Sequence, residues 1–347
     1  MRMPDSRLIA ETARILKHYS IKPYFVEDLG KVRKIYAESG TYALKKIPPQ
    51  EGTGFLRHIQ ALYQKGYNRI VPVFPAEDGR YAILENNHLY YLMPWLTNEE
   101  KENQPERQKQ LFRELARLHT LSAKDIELTE AERLEHYEET LQKWGKEEEF
   151  LDGFMDACES KFYMSPFELM FCLYYHEAKQ AASFSKQKLE NWYTLTKEQK
   201  KSRMVITHGK VSTEHFVFNE KGTGHFLNFE KAGPGSAIHD LLPFVSRTLK
   251  TFPKKSDECV DWIQTYFQYF PLKEEERLLF LSYLAYPTGL VQTAETYFKS
   301  SNPKNERRLV QRLQRNYWLI KNTEYVVMKL EEAERQKQQA AQEGAQN

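Results

Sequence analysis

The apolar pattern of this chain changes period near Pro94-Trp95, and that change confines it to folds that set strands apart from helices. Before residue 94 short alternating runs dominate. Val32, Ile35, Tyr42 and Leu44 flank the turn signal Glu38-Ser39-Gly40 and predict a β-hairpin, which Pro48-Pro49 ends because proline cannot donate to a ladder. A second hairpin is expected around Asp78-Gly79, and a strand over His88 to Met93. Two helices interrupt this region. One spans Leu8 to Tyr19, with Leu8, Ala13, Ile15 and Leu16 inward. The other spans residues 53–66, with Phe55, Ile59, Leu62 and Tyr63 apolar and Gly66 as its stop.

After residue 94 helical spacing takes over. Gln108 to Leu121 puts Leu111, Leu115 and Leu118 on one face, with Phe112, Ala116 and His119 beside it. Ala131 to Glu149 is acidic and amphipathic. Ser165-Pro166-Phe167-Glu168 is a strong helix start: a serine cap, proline at the first helical position and a glutamate that completes a capping box. Thr196-Lys197-Glu198-Gln199 is a weaker capping-box candidate. Met204–Ile206, Phe216–Phe218 and His225–Leu227 predict brief strands within 203–230. From Pro243 the chain reads as helix, broken at Pro287. Residues 331–347 carry almost no apolar content and read as a solvated helix end or a disordered tail.

Composition excludes several classes. The chain of 347 residues is 41% hydrophobic, with 20 Phe and 21 Tyr, so it can bury a real core. Its net charge of +2, without a basic stripe, gives no electrostatic case for nucleic acid. Cys158, Cys172 and Cys259 are odd in number and widely spaced, which argues for reduced thiols over a disulfide framework or a cysteine zinc site. The charged N-terminal stretch lacks a signal-type apolar segment, and no window approaches a membrane span. The expectation is synthesis in a reducing cytoplasm and no membrane partner.

Four local motifs, in order, resemble the aminoglycoside phosphotransferase branch of the protein-kinase-like superfamily, over roughly residues 20–325. Tyr42-Ala43-Leu44-Lys45 resembles the strand that carries the phosphate-contacting lysine. Leu115-Ala116-Arg117-Leu118-His119 resembles the "LARLH" helix. His208-Gly209, followed by Phe216, resembles the catalytic loop H-G-D-x4-N. Leu227-Asn228-Phe229-Glu230, followed by His239-Asp240-Leu241, resembles the metal segment "IDFE…DL". Within that superfamily, Tyr90-Tyr91-Leu92-Met93-Pro94-Trp95 and the divergence of the loops resemble the spore-coat-associated YutH/CotS group. The resemblance implies an α+β, bilobal protein-kinase-like fold. Residues 1–94 form a small strand-rich N-lobe, residues 95–330 a large helical C-lobe with degenerate catalytic and metal loops, and residues 331–347 a polar tail.

The chain departs from the family at the polar positions that supply chemistry. Phosphoryl transfer needs positioned phosphates, metal ions and a group that orients the attacking hydroxyl. Lys210 stands where the resemblance implies the loop aspartate, and an ammonium has donors but no acceptor. Glu214 is a substitute base only if the loop is matched differently. His215 stands at the metal-binding asparagine and Asn228 at the metal-binding aspartate, whereas magnesium prefers hard, charged oxygen ligands. The family trio carries two negative charges and this trio, with His215 neutral, carries one positive charge, so the attraction for a divalent ion is largely gone. Lys45 and Glu230 are retained as candidate nucleotide-binding residues, although a solvated lysine beside Lys46 is the competing reading. The 53–66 helix offers no glutamate to pair with Lys45; His58 and Gln60 lie nearest the expected place. By resemblance, His208 packs the loop and Asp240 braces it. A zinc site on His208, His215, His225 and His239 lacks helical i,i+4 spacing and a carboxylate.

No catalytic residue, no metal and no required cofactor are therefore expected. The leading expectation is an inactive kinase-like scaffold that binds coat proteins at the spore coat. An active ATP-dependent small-molecule phosphotransferase, or a metal-free nucleotide binder, is the alternative.

Overall fold

The computed structural model describes residues 6–96, 104–300 and 305–346. The chain divides into two compact units, each discontinuous in sequence: 1–122 with 206–235, and 123–205 with 236–347. Position 94 thus lies inside the first unit, and the short strands after residue 206 belong to it.

In the first unit, five strands among the described residues form one antiparallel sheet: β1 (Pro23–Asp28), β2 (Val32–Ala37), β3 (Gly40–Ile47), β4 (Ile83–Glu85) and β5 (His88–Pro94), in the order β1-β2-β3-β5-β4. β2 and β3 form the expected hairpin, with Ala37 opposite Gly40 and Glu38-Ser39 as the turn. β1 was not foreseen, because Pro23 opens it and its burial alternates poorly. The second hairpin sits elsewhere than expected. Asp78-Gly79 makes only a local turn, closed by the Ala76 N–H on the Arg80 carbonyl at 2.7 Å and by an Asp78–Arg80 ion pair. The hairpin that forms joins β4 to β5 through Asn86-Asn87, both with positive φ of 48° and 57°. Asparagine tolerates that region better than other non-glycine residues, and two such residues suit a two-residue hairpin turn.

Helix α1 (Ser6–Leu16) lays Ile15 and Leu16 onto this sheet, against Ile35, Leu44, Ile83, Tyr90 and Leu92. Helix α2 (Phe55–Gln64) buries Phe55, Leu56, Ile59 and Leu62, and Gly66 follows its end at φ +81°, a conformation that glycine adopts freely. Helix α3 (Gln104–Ser122) buries all six residues of its expected face, Leu111, Phe112, Leu115, Ala116, Leu118 and His119.

In the second unit, β6 (Lys124–Glu127) pairs antiparallel with β7 (Lys201–Thr207), whose last two residues lie in the first unit. Helix α4 (Glu130–Glu159) begins at a capping box made by Thr129 and Glu132. Helix α5 (Pro166–Thr196) begins at the expected one: the Ser165 hydroxyl accepts from the Glu168 N–H, and Glu168 accepts from the Ser165 N–H at 2.9 Å. Thr196, by contrast, caps no helix. It ends α5, and its hydroxyl donates to the Trp192 carbonyl at 2.8 Å because the helix preceding it is still intact.

Helices α6 (Ile238–Leu249), α7 (Asp257–Tyr269), α8 (Glu274–Ala285), α9 (Thr288–Phe298) and α10 (Glu306–Gln346) follow. α6 starts before Pro243, which it contains, and Pro287 stands just ahead of α9 as expected. Residues 331–346 continue α10; residue 347 lies outside the described residues. α4, α5, α9 and α10 share a core built on Phe154, Phe167, Phe171, Leu290 and Leu313. All three cysteines are free thiols.

The Ser165 cap predicts a mutational cost. Ser165→Ala removes an acceptor for an orphan helix donor, and the hydroxyl's 2.8 Å contact with Tyr297. It should lower stability by about 1–2 kcal/mol, read as a lower urea midpoint at unchanged slope.

Candidate functional site

Register places the first side chain. Lys45 on β3 stands opposite Tyr91 on β5, so both project from one face of the sheet. Lys45 is 8% exposed, which excludes the solvated-lysine reading. Its ammonium lies 5.9 Å from the centre of the Tyr91 ring, and Phe55, the first residue of α2, packs on that ring at 5.6 Å. α2 presents an aromatic side chain here and contributes no carboxylate to the lysine.

The carboxylate comes from the segment after strands β8 (Phe216–Phe218) and β9 (Gly224–Phe226). There Asn228 takes a left-handed conformation, φ 69° and ψ 51°, and a short 3-10 turn over Phe229–Lys231 follows. This backbone brings Asn228 and Glu230 to the same ammonium. Lys45 Nζ donates to Asn228 Oδ1 and forms an ion pair with Glu230 Oε1. The Tyr91 hydroxyl donates to the same Glu230 oxygen at 2.5 Å. The side chains of Lys45 and Glu230 are 10% and 6% exposed, so the pair is largely removed from water.

Electrostatics follow from that burial. Burial pushes the Glu230 carboxyl up, but Lys45 and the Tyr91 hydroxyl outweigh it and hold the group below the usual carboxylate range. Burial pulls Lys45 down, Glu230 opposes it, and Lys210 adds to the lowering. Tyr91 is pushed well above the ordinary phenol range, first by burial and then by Glu230, so its hydroxyl remains a donor.

The 208–215 loop is fixed by two histidines. His208 is fully buried, and its Nε2 lies 2.9 Å from the Leu227 carbonyl, so that nitrogen carries the proton. Its Nδ1 then accepts from the Lys210 N–H at 3.2 Å. His215 Nδ1 donates to the Lys210 carbonyl at 2.7 Å. Burial lowers the His215 pKa, and the neighbouring Lys210 and Lys45 lower it further, which favours the neutral ring. Gly209 has φ +75°, and a Cβ there would strike the Lys231 carbonyl oxygen, so only glycine fits.

These groups border a cavity of about 300 Å³. Lys31, Lys45, Lys46, Lys210 and Lys231 line it, opposed by Glu51 and Glu230, which leaves the lining at three positive charges. Glu51 partners Lys231 at 3.5 Å. Lys210 is exposed at the cavity; Glu214 is exposed and is not one of the lining residues. Asp240 is 2% exposed in the first turn of α6, in the second unit, where its charge adds to the upward shift of the buried Tyr266.

The site therefore gathers Lys45, Asn228 and Glu230 at one point, with Lys210 and His215 nearby. Sequence reasoning missed Tyr91 as a member and missed the ring of lysines. The β3–β5 pairing that puts Tyr91 opposite Lys45 is a long-range fact, and Lys31, Lys46 and Lys231 each look like an ordinary surface lysine in sequence. Among the described residues no three His, Cys, Asp or Glu side chains gather as a metal-binding group.

Breaking the buried pair from one side should cost more than removing both charges. Glu230→Gln is expected to destabilise the protein by about 3–5 kcal/mol, whereas Lys45→Met with Glu230→Gln should cost less. Because the Glu230 carboxyl lies below its unfolded value, its stabilisation is present above about pH 4.3 and is lost as pH falls through the folded value. Urea unfolding from pH 7 to 3 should show that loss in the wild type and a smaller one in Glu230→Gln.

The chain has similar proteins at the level of family and fold. The model of the phosphotransferase enzyme family, APH, matches residues 29–270. No curated protein matches the chain. An aminoglycoside phosphotransferase from Alicyclobacillus acidocaldarius superposes with a TM-score of 0.71 at 13% identity, over 92% of this chain and 95% of that one. A spectinomycin phosphotransferase, in complex with AMP, gives 0.55 at 13% identity, over 94% and 98%. A microcompartment-associated aminopropanol kinase gives 0.54 at 15% identity, over 90% and 95%. The strand-rich sheet followed by a mainly helical remainder is thus the α+β, kinase-like fold of these proteins, and the chain belongs to the phosphotransferase enzyme family.

Proposed function

We propose that this chain is a kinase-like protein that has lost phosphoryl transfer and acts as a scaffold or binding protein of the endospore coat. In this reading it is made in the cytoplasm, carried to the coat and held there by coat proteins. The coat assignment rests on the likeness of Tyr90–Trp95 and of the divergent loops to the YutH/CotS group.

The loss of catalysis rests on one observation: a lysine ammonium engages both Asn228 and Glu230. By resemblance these two occupy the family's metal segment. Magnesium requires near-octahedral oxygen donors and is held best by carboxylates. Here the donors are one amide oxygen and one carboxylate, each turned to an internal cation, and the residues do not fit the ion. Lys210 offers no acceptor for a substrate hydroxyl either. These contacts oppose the reading as an active small-molecule phosphotransferase.

A second reading, a metal-free nucleotide or anion binder, draws on the lysine-lined cavity. Its surplus of positive charge suits a polyphosphate without a bridging metal.

Two assays on the purified full chain separate these readings. Incubation with γ-labelled ATP, magnesium and a panel of aminoglycosides and amino alcohols should transfer no label; transfer that disappears in Lys45→Ala would end the proposal. Thermal melting with ATP should show no magnesium-dependent rise. A rise in EDTA that Lys210→Glu removes would favour the anion binder.

A further inference from the structure

A patch of uncompensated positive charge lies in the second unit, built from two segments far apart in sequence. Residues 241–256 hold four basic side chains and no acidic one, and residues 307–323 hold five and none. Folding joins them. Asn322, on α10 and 2% exposed, fastens the turn after α6 to that helix. Its Nδ2 donates to the Leu249 carbonyl at 2.9 Å and to the Phe252 carbonyl at 3.2 Å, and its Oδ1 accepts from the Lys254 N–H at 3.0 Å. Arg315 and Arg308 precede Asn322 by seven and fourteen residues, so they share its face of α10, with Arg312 between them. About 10 Å of helix separates Arg308 from Arg315.

Three observations point to an anionic partner with an apolar part. Lys250, Arg308, Arg312 and Arg315 are exposed, and among the described residues none of them forms an ion pair. Their grouping is costly as it stands. Like charges three and four positions apart destabilise a helix, and Arg308 sits in the first turn of α10, where a cation opposes the helix dipole. Partial burial lowers the Lys250 pKa, and Arg312 and Arg315 lower it further, so the three cations feel one another. Phe252, finally, belongs to a turn that Asn322 holds in place, yet it is 64% exposed. An aromatic ring fixed beside cations suits a partner that carries both carboxylates and an apolar side chain; a bare polyanion has no use for it.

We propose that this patch docks an acidic polypeptide segment, with its carboxylates on Lys250, Arg308, Arg312 and Arg315 and an apolar side chain on Phe252. A guanidinium pairs a carboxylate through two parallel N–H donors, and three arginines on one helix face can repeat that pairing along the segment. The patch belongs to the second unit, and its role does not depend on whether the Lys45–Glu230 centre reacts.

Fluorescence anisotropy on the full chain tests this with three labelled probes: a ten-residue peptide of glutamate and leucine, the same peptide with glutamine for glutamate, and a thymidine decamer. The acidic peptide should bind about tenfold more tightly than either other probe, and more weakly as salt rises. Arg312→Gln with Arg315→Gln should weaken it about tenfold, and Phe252→Ala about threefold, with folding checked by circular dichroism. Lys200→Gln with Lys221→Gln removes the same charge from other exposed positions and should leave the affinity unchanged. No binding of the acidic peptide, equal binding of the glutamine peptide, or tighter binding of the thymidine decamer overturns the proposal from the wild-type protein alone. Unchanged affinity in the folded double-arginine variant, or an equal loss in the double-lysine one, overturns it as well.

Discussion

The Lys45 ammonium, shared between Asn228 and Glu230, is the interaction on which the rest of the site depends. A buried ammonium requires a negative partner, and a buried carboxylate requires a positive one. Each therefore holds the other, and Tyr91 supplies the remaining donor to Glu230. By resemblance this segment is the family's metal segment, and here a fixed internal cation stands against its Asn228 and Glu230 oxygens. An ammonium on a strand does not dissociate as a metal ion does, so the local charge is settled on folding.

That pair needs an unusual amount of backbone to assemble. β3 and β5 set Lys45 and Tyr91 side by side. Asn228 must enter the left-handed region to turn its amide and the following carboxylate toward the lysine. His208, buried and hydrogen-bonded at both ring nitrogens, ties the Leu227 carbonyl to the Lys210 N–H, and Gly209 lets the loop pass close to Lys231. The members of this framework are satisfied by one another. Lys31, Lys210 and Lys231, around the cavity, remain exposed to whatever anion reaches them.

Much of the fold was legible before any coordinates. The α3 face from Leu111 to His119 and the Ser165 capping box follow from local spacing and cap chemistry, and both formed as expected. The failures share a cause. Asp78-Gly79 is a good turn pair, but β4 and β5 needed a tighter hairpin, and Asn86-Asn87 supplied it. Thr196 carries the pattern of a cap, yet the packing of α5 continues through it. At the site, the sequence singled out Asn228 and Glu230 but did not tell that Lys45 would turn to them. Lys45 and Asn228 lie 183 positions apart, and no local pattern reports such a contact.

On the proposed reading, the Lys45 ammonium stands where, by resemblance, the family places a divalent ion. Titration of the purified protein with Mn²⁺, followed by electron paramagnetic resonance in the presence of ATP, tests it most directly. The account predicts that the protein adds no ordered Mn²⁺ site to those of Mn²⁺-ATP in solution. A stoichiometric protein-bound Mn²⁺ that Glu230→Gln removes would contradict it.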